Sequence, residues 1–288
     1  MNPPTFDYYR AADRANALYL LNQHPGAKLI AGGHSLIPAM NLHLAHPEAV
    51  VDIGRLDDMK GIHVFPDGNV AIYALTTHAE IARSRHVPEG LSEAAGMIGD
   101  PQVRNRGTIG GNLAHADPAS DLPTVVTALD CTLEIMALTY ARMTPANGFF
   151  TGLFQTGLQE GEILATVVIP PQLPGTGSAY VKMANPASRY CMVGVAAVLG
   201  TDPAGNFSRA SVAIGGLTPH ARRAPSVEAA LMGQPATAAT CMAAAAAVDN
   251  DLGGEILGDI HASADYRRAM APVYVKRALL TALERCGA

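Results

Sequence analysis

Two segments with adjacent glycines, AGGHS over Ala31–Ser35 and TIGGN over Thr108–Asn112, lie in the first half of the chain. A residue without Cβ reaches positive φ cheaply, so successive N–H groups can converge on one point. That concavity suits a phosphate oxygen, which needs several donors and no side chain in the way. Two such loops can hold a pyrophosphate from two sides. With 28 glycines in 288 residues, one pair alone is equally an ordinary turn, so the pair of pairs carries the argument.

The length suits two domains better than one core. A hydrophobic fraction of 49% and a charged fraction of 16% describe an ordinary globular protein. The net charge of −5 and pI near 6.0, with no Lys or Arg run, argue against a nucleic-acid surface. Aromatic content of 5% without Trp also argues against a broad base-stacking platform. The opening MNPPTFDYYR has neither a basic nor an apolar leader region, and the apolar runs 193–199 and 241–248 are too short to span a bilayer. A cytoplasmic location without a transmembrane segment is expected. Cys131, Cys191, Cys241 and Cys286 are scattered and form no C-x-x-C, so neither zinc nor an iron–sulfur cluster is encoded locally.

Helical spacing over Ala11–Asn22 is broken by Pro25 and Gly26. A short strand over Lys28–Ala31 then runs into the first glycine pair, and a second follows over Ala49–Ile53. Strands over Gly61–Phe65 and Val70–Leu75 flank a Pro-Asp-Gly-Asn turn, the pattern of a hairpin. Helices are predicted over Thr77–Arg83, Gly90–Met97 and Asp121–Leu129, and strands over Cys131–Met136 and Ile163–Ile169. PPQLPGTG at 170–177 is the one stretch with the composition of a domain boundary. Beyond it come strands over Ser178–Met183, Met192–Leu199 and Arg209–Gly215. Helices over Pro225–Met232, Thr237–Val248 and Asp265–Arg285 follow, and strands then helices in one block read as α+β.

Several enzyme signatures fail. There is no Walker loop and no G-x-G-x-x-G, and Gly33-His-Ser35 lacks the closing glycine of a hydrolase elbow. His43 with His46, and His115 with Asp117, have spacings that metals use, but no third ligand accompanies either. Surface or loop histidine is the simpler reading, and no metal site is expected.

The string PQVRNRGTIGGNLAHADPASDLP at 101–123 resembles the flavin-binding medium subunit of molybdenum hydroxylases. That family includes the carbon monoxide dehydrogenase, quinoline oxidoreductase and nicotine dehydrogenase types and the central domain of xanthine dehydrogenase. AGGHSLIPAM at 31–40 is similar to the family's first phosphate loop, and GEILATVVIP at 161–170 to its strand before the domain junction. ADYRRAMAPVYVKRAL at 264–279 is similar to its final helix, so the resemblance spans the chain. It implies an α+β fold: a vanillyl-alcohol-oxidase-type FAD-binding domain over 1–174, with subdomains of about 1–55 and 56–174. A smaller α+β domain over 175–288, a three-stranded sheet with helices, would follow.

By the same resemblance, FAD is held non-covalently, its pyrophosphate between two segments. The first comprises Ile30, Ala31, Gly32, Gly33, His34, Ser35, Leu36 and Ile37; the second comprises Thr108, Ile109, Gly110, Gly111 and Asn112. Ser35 and Thr108 add hydroxyl donors, and Asn112 braces the loop or reaches the cofactor. His34 is expected as a loop-packing or phosphate-facing imidazole rather than a covalent attachment point. Asp121 matches an acidic residue near the FAD, suited to ribose hydroxyls, although an N-cap for the next helix also fits. Leu164 matches a position bordering the flavin and equally suits strand core. Lys182 matches a lysine near the isoalloxazine, where a cation favours the anionic reduced ring, or else is a solvated strand lysine. Tyr190 matches a tyrosine covering one flavin face. Relatives commonly read Gly-Asp-Tyr-Ala where this chain has SRYC at 188–191, and their Lys-rich preceding segment is MANP here. Arg189 thus reverses the charge near the expected flavin edge.

The resemblance further implies that no catalytic residue lies on this chain, with Tyr190 and Lys182 the flavin-face candidates. Molybdenum–pterin would sit on a large partner subunit and two [2Fe–2S] centres on a small one, in a dimer of heterotrimers. Electrons would pass from the clusters to FAD and on to an external acceptor, while the large subunit oxidises carbon monoxide, an aldehyde or an N-heterocycle. Two alternatives stay open: a self-contained FAD oxidase or dehydrogenase, for which only His220 and Tyr266 stand out as acid–base candidates, and a cofactor-free scaffold.

Overall fold

The computed structural model describes residues 2–287. The chain opens with a three-stranded parallel sheet in the order β1–β3–β2, from β1 (Asp7–Arg10), β2 (Lys28–Ile30) and β3 (Ala49–Asp52). Central β3 reads AVVD and buries Ala49, Val50 and Val51, as a parallel strand covered on both faces requires. Helix α1 (Arg14–Gln23) crosses between β1 and β2. It starts two or three residues later than the apolar spacing predicts. Ala11 still extends the sheet, its N–H bonding to Asp52 O at 3.0 Å, and Asp13 then caps the helix by accepting from Asn16 N at 2.7 Å.

A five-stranded antiparallel sheet follows in the order β4–β5–β10–β6–β7. It comprises β4 (Ile62–Val64), β5 (Val70–Tyr73), β6 (Thr132–Met136), β7 (Ala141–Pro145) and β10 (Ile163–Ile169). The chain leaves this sheet after β5 for five helices. They are α3 (His78–Arg83), α4 (Glu89–Met97), α5 (Pro101–Arg104), α6 (Ile109–His115) and α7 (Leu122–Ala128). Between β7 and β10 a two-stranded ribbon, β8 (Phe150–Gly152) and β9 (Gln155–Thr156), projects from the body of the sheet. The short helix α2 (Leu36–Asn41) follows the first glycine pair.

Beyond residue 175 the sheet is antiparallel in the order β11–β12–β13–β14, with β11 (Thr176–Ala184), β12 (Cys191–Thr201), β13 (Phe207–Gly215) and β14 (Arg222–Arg223). This corrects the expected three strands to four. The extra strand is two arginines, which pair with Ala213 and Ile214 and carry no apolar alternation to read. Arg223 is held there by ion pairs to Asp130 and Glu228. Helices α8 (Pro225–Leu231), α9 (Ala238–Ala245) and α10 (Ala264–Cys286) complete this lobe.

Strand β12 explains how the lobes join. Val193, Val195, Ala197 and Leu199 enter a core with Ala271, Val275, Ala278 and Leu279 of α10. Ala196 and Val198, on the opposite face, enter the core of the first lobe with Leu122 and Val125 of α7 and Leu129 just after it. Successive side chains point to opposite faces, so a strand buried on both sides must be apolar throughout. Helix α10 lies so close to β11 that a Cβ on Gly177 would strike the Ala282 carbonyl.

A polar knot fixes the start of β10. The Glu162 carboxylate, fully buried, accepts from Arg142 Nε and Nη2 and from Gln159 N, each at 2.7 Å, and from the Tyr140 hydroxyl at 2.9 Å. The Arg142 hydrogen bond is the strongest influence holding this carboxyl down at about 2, against an ordinary 4.5. A depressed carboxyl contributes stability that is complete above its unfolded value and is lost as pH falls through its folded one. The stability difference between the wild-type chain and Glu162→Gln should therefore be constant above about pH 5 and shrink as pH falls toward 2. Denaturant unfolding at stepped pH measures it.

Candidate functional site

A cavity of about 1070 Å³ opens where the two glycine segments, the β8–β9 ribbon and the β11–β12 loop meet. It reaches the upper end of the size range of small-molecule sites. Its first wall is the loop between β2 and α2. None of the amides of Gly32, Gly33, His34, Ser35 and Leu36 donates to a protein acceptor among the described residues. Gly33 adopts φ +76°, a left-handed turn into α2, and Ser35 and Leu36 stand at the start of that helix, where amides have no intrahelical acceptor. Unpaired peptide donors are costly unless a ligand or water meets them.

The second wall behaves differently from expectation. Gly110 and Gly111 lie in the first turn of α6, with no positive φ. Ile109 N bonds to Thr76 O at 3.0 Å, Gly110 N to Ala74 O at 2.8 Å and Asn112 N to Thr108 O at 3.0 Å, so these amides are committed. Thr108 caps the helix through its hydroxyl, accepting from Gly111 N at 3.3 Å. Gly110 is needed for proximity: a Cβ there would sit 2.5 Å from Ala74 Cβ. Gly32 is likewise pressed against the Arg106 carbonyl and Gly107. The first pair supplies donors; the second supplies closeness.

Two orphaned polar atoms belong to this cavity's lining residues. Asn112 Nδ2 donates to Ser120 Oγ at 3.0 Å, whereas its Oδ1 is buried without a partner. His78 Nδ1 is buried and unpartnered too. Free amides that suit a diphosphate, on a cavity whose wall takes residues from both lobes, fit a flavin dinucleotide.

Of the residues expected at the site, Ile30, Ala31, Gly32, Gly33, His34, Ser35, Leu36, Thr108, Gly110, Gly111, Asn112, Asp121, Leu164 and Tyr190 line the cavity. Ile37, Ile109 and Lys182 stand outside its wall. Ile37 faces solvent, and Ile109 turns into the first core. Lys182 is neither solvated nor at the cavity. Its Nζ bonds to Asp121 at 3.0 Å, to Arg189 O at 2.8 Å and to Met97 O at 3.1 Å, and both side chains of the ion pair are about 95% buried. Asp121 also accepts from the Tyr180 hydroxyl at 2.6 Å and makes no cap bond to α7. Burial pushes its carboxyl up, opposed by Lys182 and Tyr180. Leu164 is buried strand core and cavity wall at once.

Half-exposed Tyr190 reaches the cavity on a tight loop. Asn185 N bonds to Tyr190 O at 2.8 Å, Arg189 N to Asn185 O at 2.9 Å, and Asn185 Oδ1 accepts from Ala187 and Ser188 amides. Arg189 sits in the left-handed region at φ +61°. Its carbonyl is thereby presented to Lys182 while its side chain lines the cavity. Sequence reasoning missed His78, Ser120 and Phe154. Phe154, at φ +54° on the ribbon tip, packs its ring 5.2 Å from that of His115 on the cavity wall. A hydrophobic residue where a tight turn favours glycine or asparagine was the available signal for it.

Residues 4–172 match the family model described as the FAD binding domain in molybdopterin dehydrogenase, and residues 178–282 match the CO dehydrogenase flavoprotein C-terminal domain. The chain is 38% identical to the carbon monoxide dehydrogenase medium chain of Hydrogenophaga pseudoflava, covering 100% of both. It is 37% identical to 6-hydroxypseudooxynicotine dehydrogenase complex subunit alpha of Paenarthrobacter nicotinovorans, covering 99% of this chain and 97% of that one. A solved carbon monoxide dehydrogenase from Hydrogenophaga pseudoflava, lacking the Mo-pyranopterin moiety of its cofactor, contains a chain that superposes with a TM-score of 0.94. That chain is 39% identical, with 99% of this chain and 100% of that one covered.

The Asp121–Lys182 pair sets a test of its own. Lys182→Met leaves a buried carboxylate without its cation and frees the Arg189 carbonyl, and should cost about 3–5 kcal/mol. Lys182→Met combined with Asp121→Asn should recover part of that loss, which denaturant unfolding of both variants would show.

Proposed function

The chain belongs to the FAD-binding medium-subunit family of molybdenum hydroxylase-type dehydrogenases, an oxidoreductase component, and from that premise we propose that it carries electrons between two partner subunits' chemistry and an external acceptor. In this reading a small subunit with two [2Fe–2S] clusters delivers electrons, and a large molybdenum–pterin subunit oxidises carbon monoxide, an aldehyde or an N-heterocycle. The complex is a dimer of heterotrimers. A cytoplasmic setting goes with it, to which four buried free cysteines are suited. The observation that carries the reading is the run of free amides from Gly32 to Leu36 on the wall of a dinucleotide-sized cavity.

Bound FAD supplies redox chemistry that no side chain has, exchanging electrons singly or in pairs. The residues of this chain bind and orient. Amides of Gly32–Leu36, with the Ser35 hydroxyl, hold the diphosphate, and Ile30, Ala31 and His34 shape that loop. Thr108, Gly110, Gly111 and Asn112 would form the opposing surface, with Asn112 bracing it through its hydrogen bond to Ser120. Leu164 would border the ring system, and Tyr190 would cover one face and limit access. Lys182 and Asp121 act from behind, fixing the loop that carries Tyr190. The lobe boundary belongs at 174/175, where residues 171–174 are exposed.

Purification of the native assembly is the direct test. The expected result is three polypeptides, a flavin absorbance near roughly 450 nm that bleaches on reduction, and both molybdenum and iron by metal analysis. A full-length chain that takes up no flavin overturns the reading, as does a catalytically complete isolated chain.

A further inference from the structure

We propose that the groove between the β8–β9 ribbon and the C-terminal lobe is a second ligand site, binding a phosphorylated small molecule through the amides of Gly253, Gly254 and Glu255 and the guanidinium of Arg222. This goes beyond the flavoprotein reading and does not depend on it.

Gly253 and Gly254 form a glycine pair that the cofactor cavity does not use. Asp251 closes a short 3-10 turn (Ala246–Asn250) in the αR region, and Gly253 follows at φ +70°. Gly253, Gly254 and Glu255 then run along the wall of a groove of about 490 Å³. Their N–H groups donate to no protein acceptor among the described residues. Space is open beside Gly254, where a Cβ would meet nothing within 4 Å. Arg268, which is not in the groove lining, holds the loop by donating from Nη2 to the Gly253 carbonyl at 2.8 Å. Successive free amides at a left-handed turn make a concavity suited to an anion.

A cation stands at the same place. Arg222 Nη1 lies 3.3 Å from a Cβ added to Gly253, so the guanidinium is against the loop that carries the free amides. The neighbouring Arg223 is taken by Asp130 and Glu228, whereas Arg222 makes no ion pair among the described residues. Arg222 is half-buried and lines the groove. Glu255 brings the one carboxylate of the lining, on an exposed residue. Three amide donors and a guanidinium with no carboxylate partner select an oxyanion, and a phosphate has enough oxygens to meet them together.

The size of the groove adds the rest of the ligand. Its volume lies within the range of small-molecule sites and far exceeds what a bare ion fills. Leu153 of the ribbon and Pro219 and Leu252 of the C-terminal lobe give it apolar wall. The ligand is therefore an organic phosphate with a body of about nucleotide size, its anion on the glycine loop and its less polar part against these side chains. Thr151 and Gln155 line both this groove and the cofactor cavity, so the ribbon is a wall common to the two.

The test uses the full-length chain saturated with FAD, so that the cofactor cavity is filled, and titrates it calorimetrically with AMP, inorganic phosphate and adenosine. AMP should bind more tightly than either of the other two. Arg222→Gln should weaken AMP about ten- to a hundredfold and Arg222→Lys less, with FAD uptake unchanged in both. In the nitrogen-labelled wild-type chain, AMP should shift the Gly253 and Gly254 amide resonances and adenosine should not. That readout requires no variant to fold. The inference is overturned if AMP leaves those two resonances unmoved or if Arg222→Gln binds AMP like wild type. Adenosine binding as tightly as AMP also overturns it, by assigning the groove to a base instead of a phosphate. A chain that takes up no FAD sinks the flavoprotein reading alone, because the Gly253 and Gly254 resonances still decide this one.

Discussion

Gly32 lies so close to the Arg106 carbonyl and to Gly107 that no side chain fits between them, and Gly110 meets Ala74 with equal closeness. These backbone-to-backbone approaches bring the loop after β2 against the start of α6, joining the parallel sheet to the helices that cover the antiparallel one. Everything at the cavity follows from that closeness. The amides of Gly32–His34 lie in the wedged loop, and those of Ser35 and Leu36 open α2 ahead of its first intrahelical bond, so all five lack a protein acceptor. A methyl group at either contact would separate the walls before it disturbed any side-chain packing. Overpacking of this kind commonly costs about 1–3 kcal/mol.

The C-terminal lobe adds a second layer of constraint. Strand β12 is apolar on both faces because it serves two cores, so the lobes share a strand instead of merely touching. Polar ties cross between the lobes too, some partly exposed, as from Arg223 to Asp130 and from Arg285 to Glu93, and some buried. Tyr180 and Lys182 from β11 converge on Asp121 at the head of α7, and the same ammonium grips the Arg189 carbonyl. The loop bearing Tyr190 is thus positioned by a charge pair that has no water to compete for it. Removing one partner from such a pair is far more costly than its net contribution suggests, because the other charge stays buried. Arg189 fits the same logic: its left-handed backbone turns the carbonyl toward Lys182, and its side chain is free to line the cavity.

The sequence made some of this legible and hid the rest for physical reasons. Strand β10 is an unbroken apolar run at the centre of a sheet, and its limits Ile163–Ile169 agree with expectation. Strand β1 escaped notice because DYYR sits at a sheet edge, with exposed side chains and no alternation. Helix α6 was hidden by Gly110 and Gly111, which argue for a loop by propensity and are tolerated because tertiary contact overrides it. The first glycine segment leaves its amides without protein acceptors, as an amide cradle requires. The second is read incorrectly, since spacing cannot tell a glycine that frees an N–H from one that admits a neighbour. His78 was invisible because a single histidine after Thr77 has no periodicity.

Arg285 donates to Glu93 across 192 residues of chain and pairs with Glu89 as well. At translation speeds of roughly 5–20 residues per second, these carboxylates wait about 10–40 s after synthesis for their cation. Both remain partly exposed even in the finished protein, so water can serve them meanwhile. The face of β12 that α10 covers has no such substitute, and its valines stay bare for the roughly 80 residues, about 4–16 s of synthesis, that separate Val195 from Val275. Nascent chains of this protein consequently pass through a stage with a finished cofactor lobe and an uncovered apolar sheet, the species on which chaperones and proteases act.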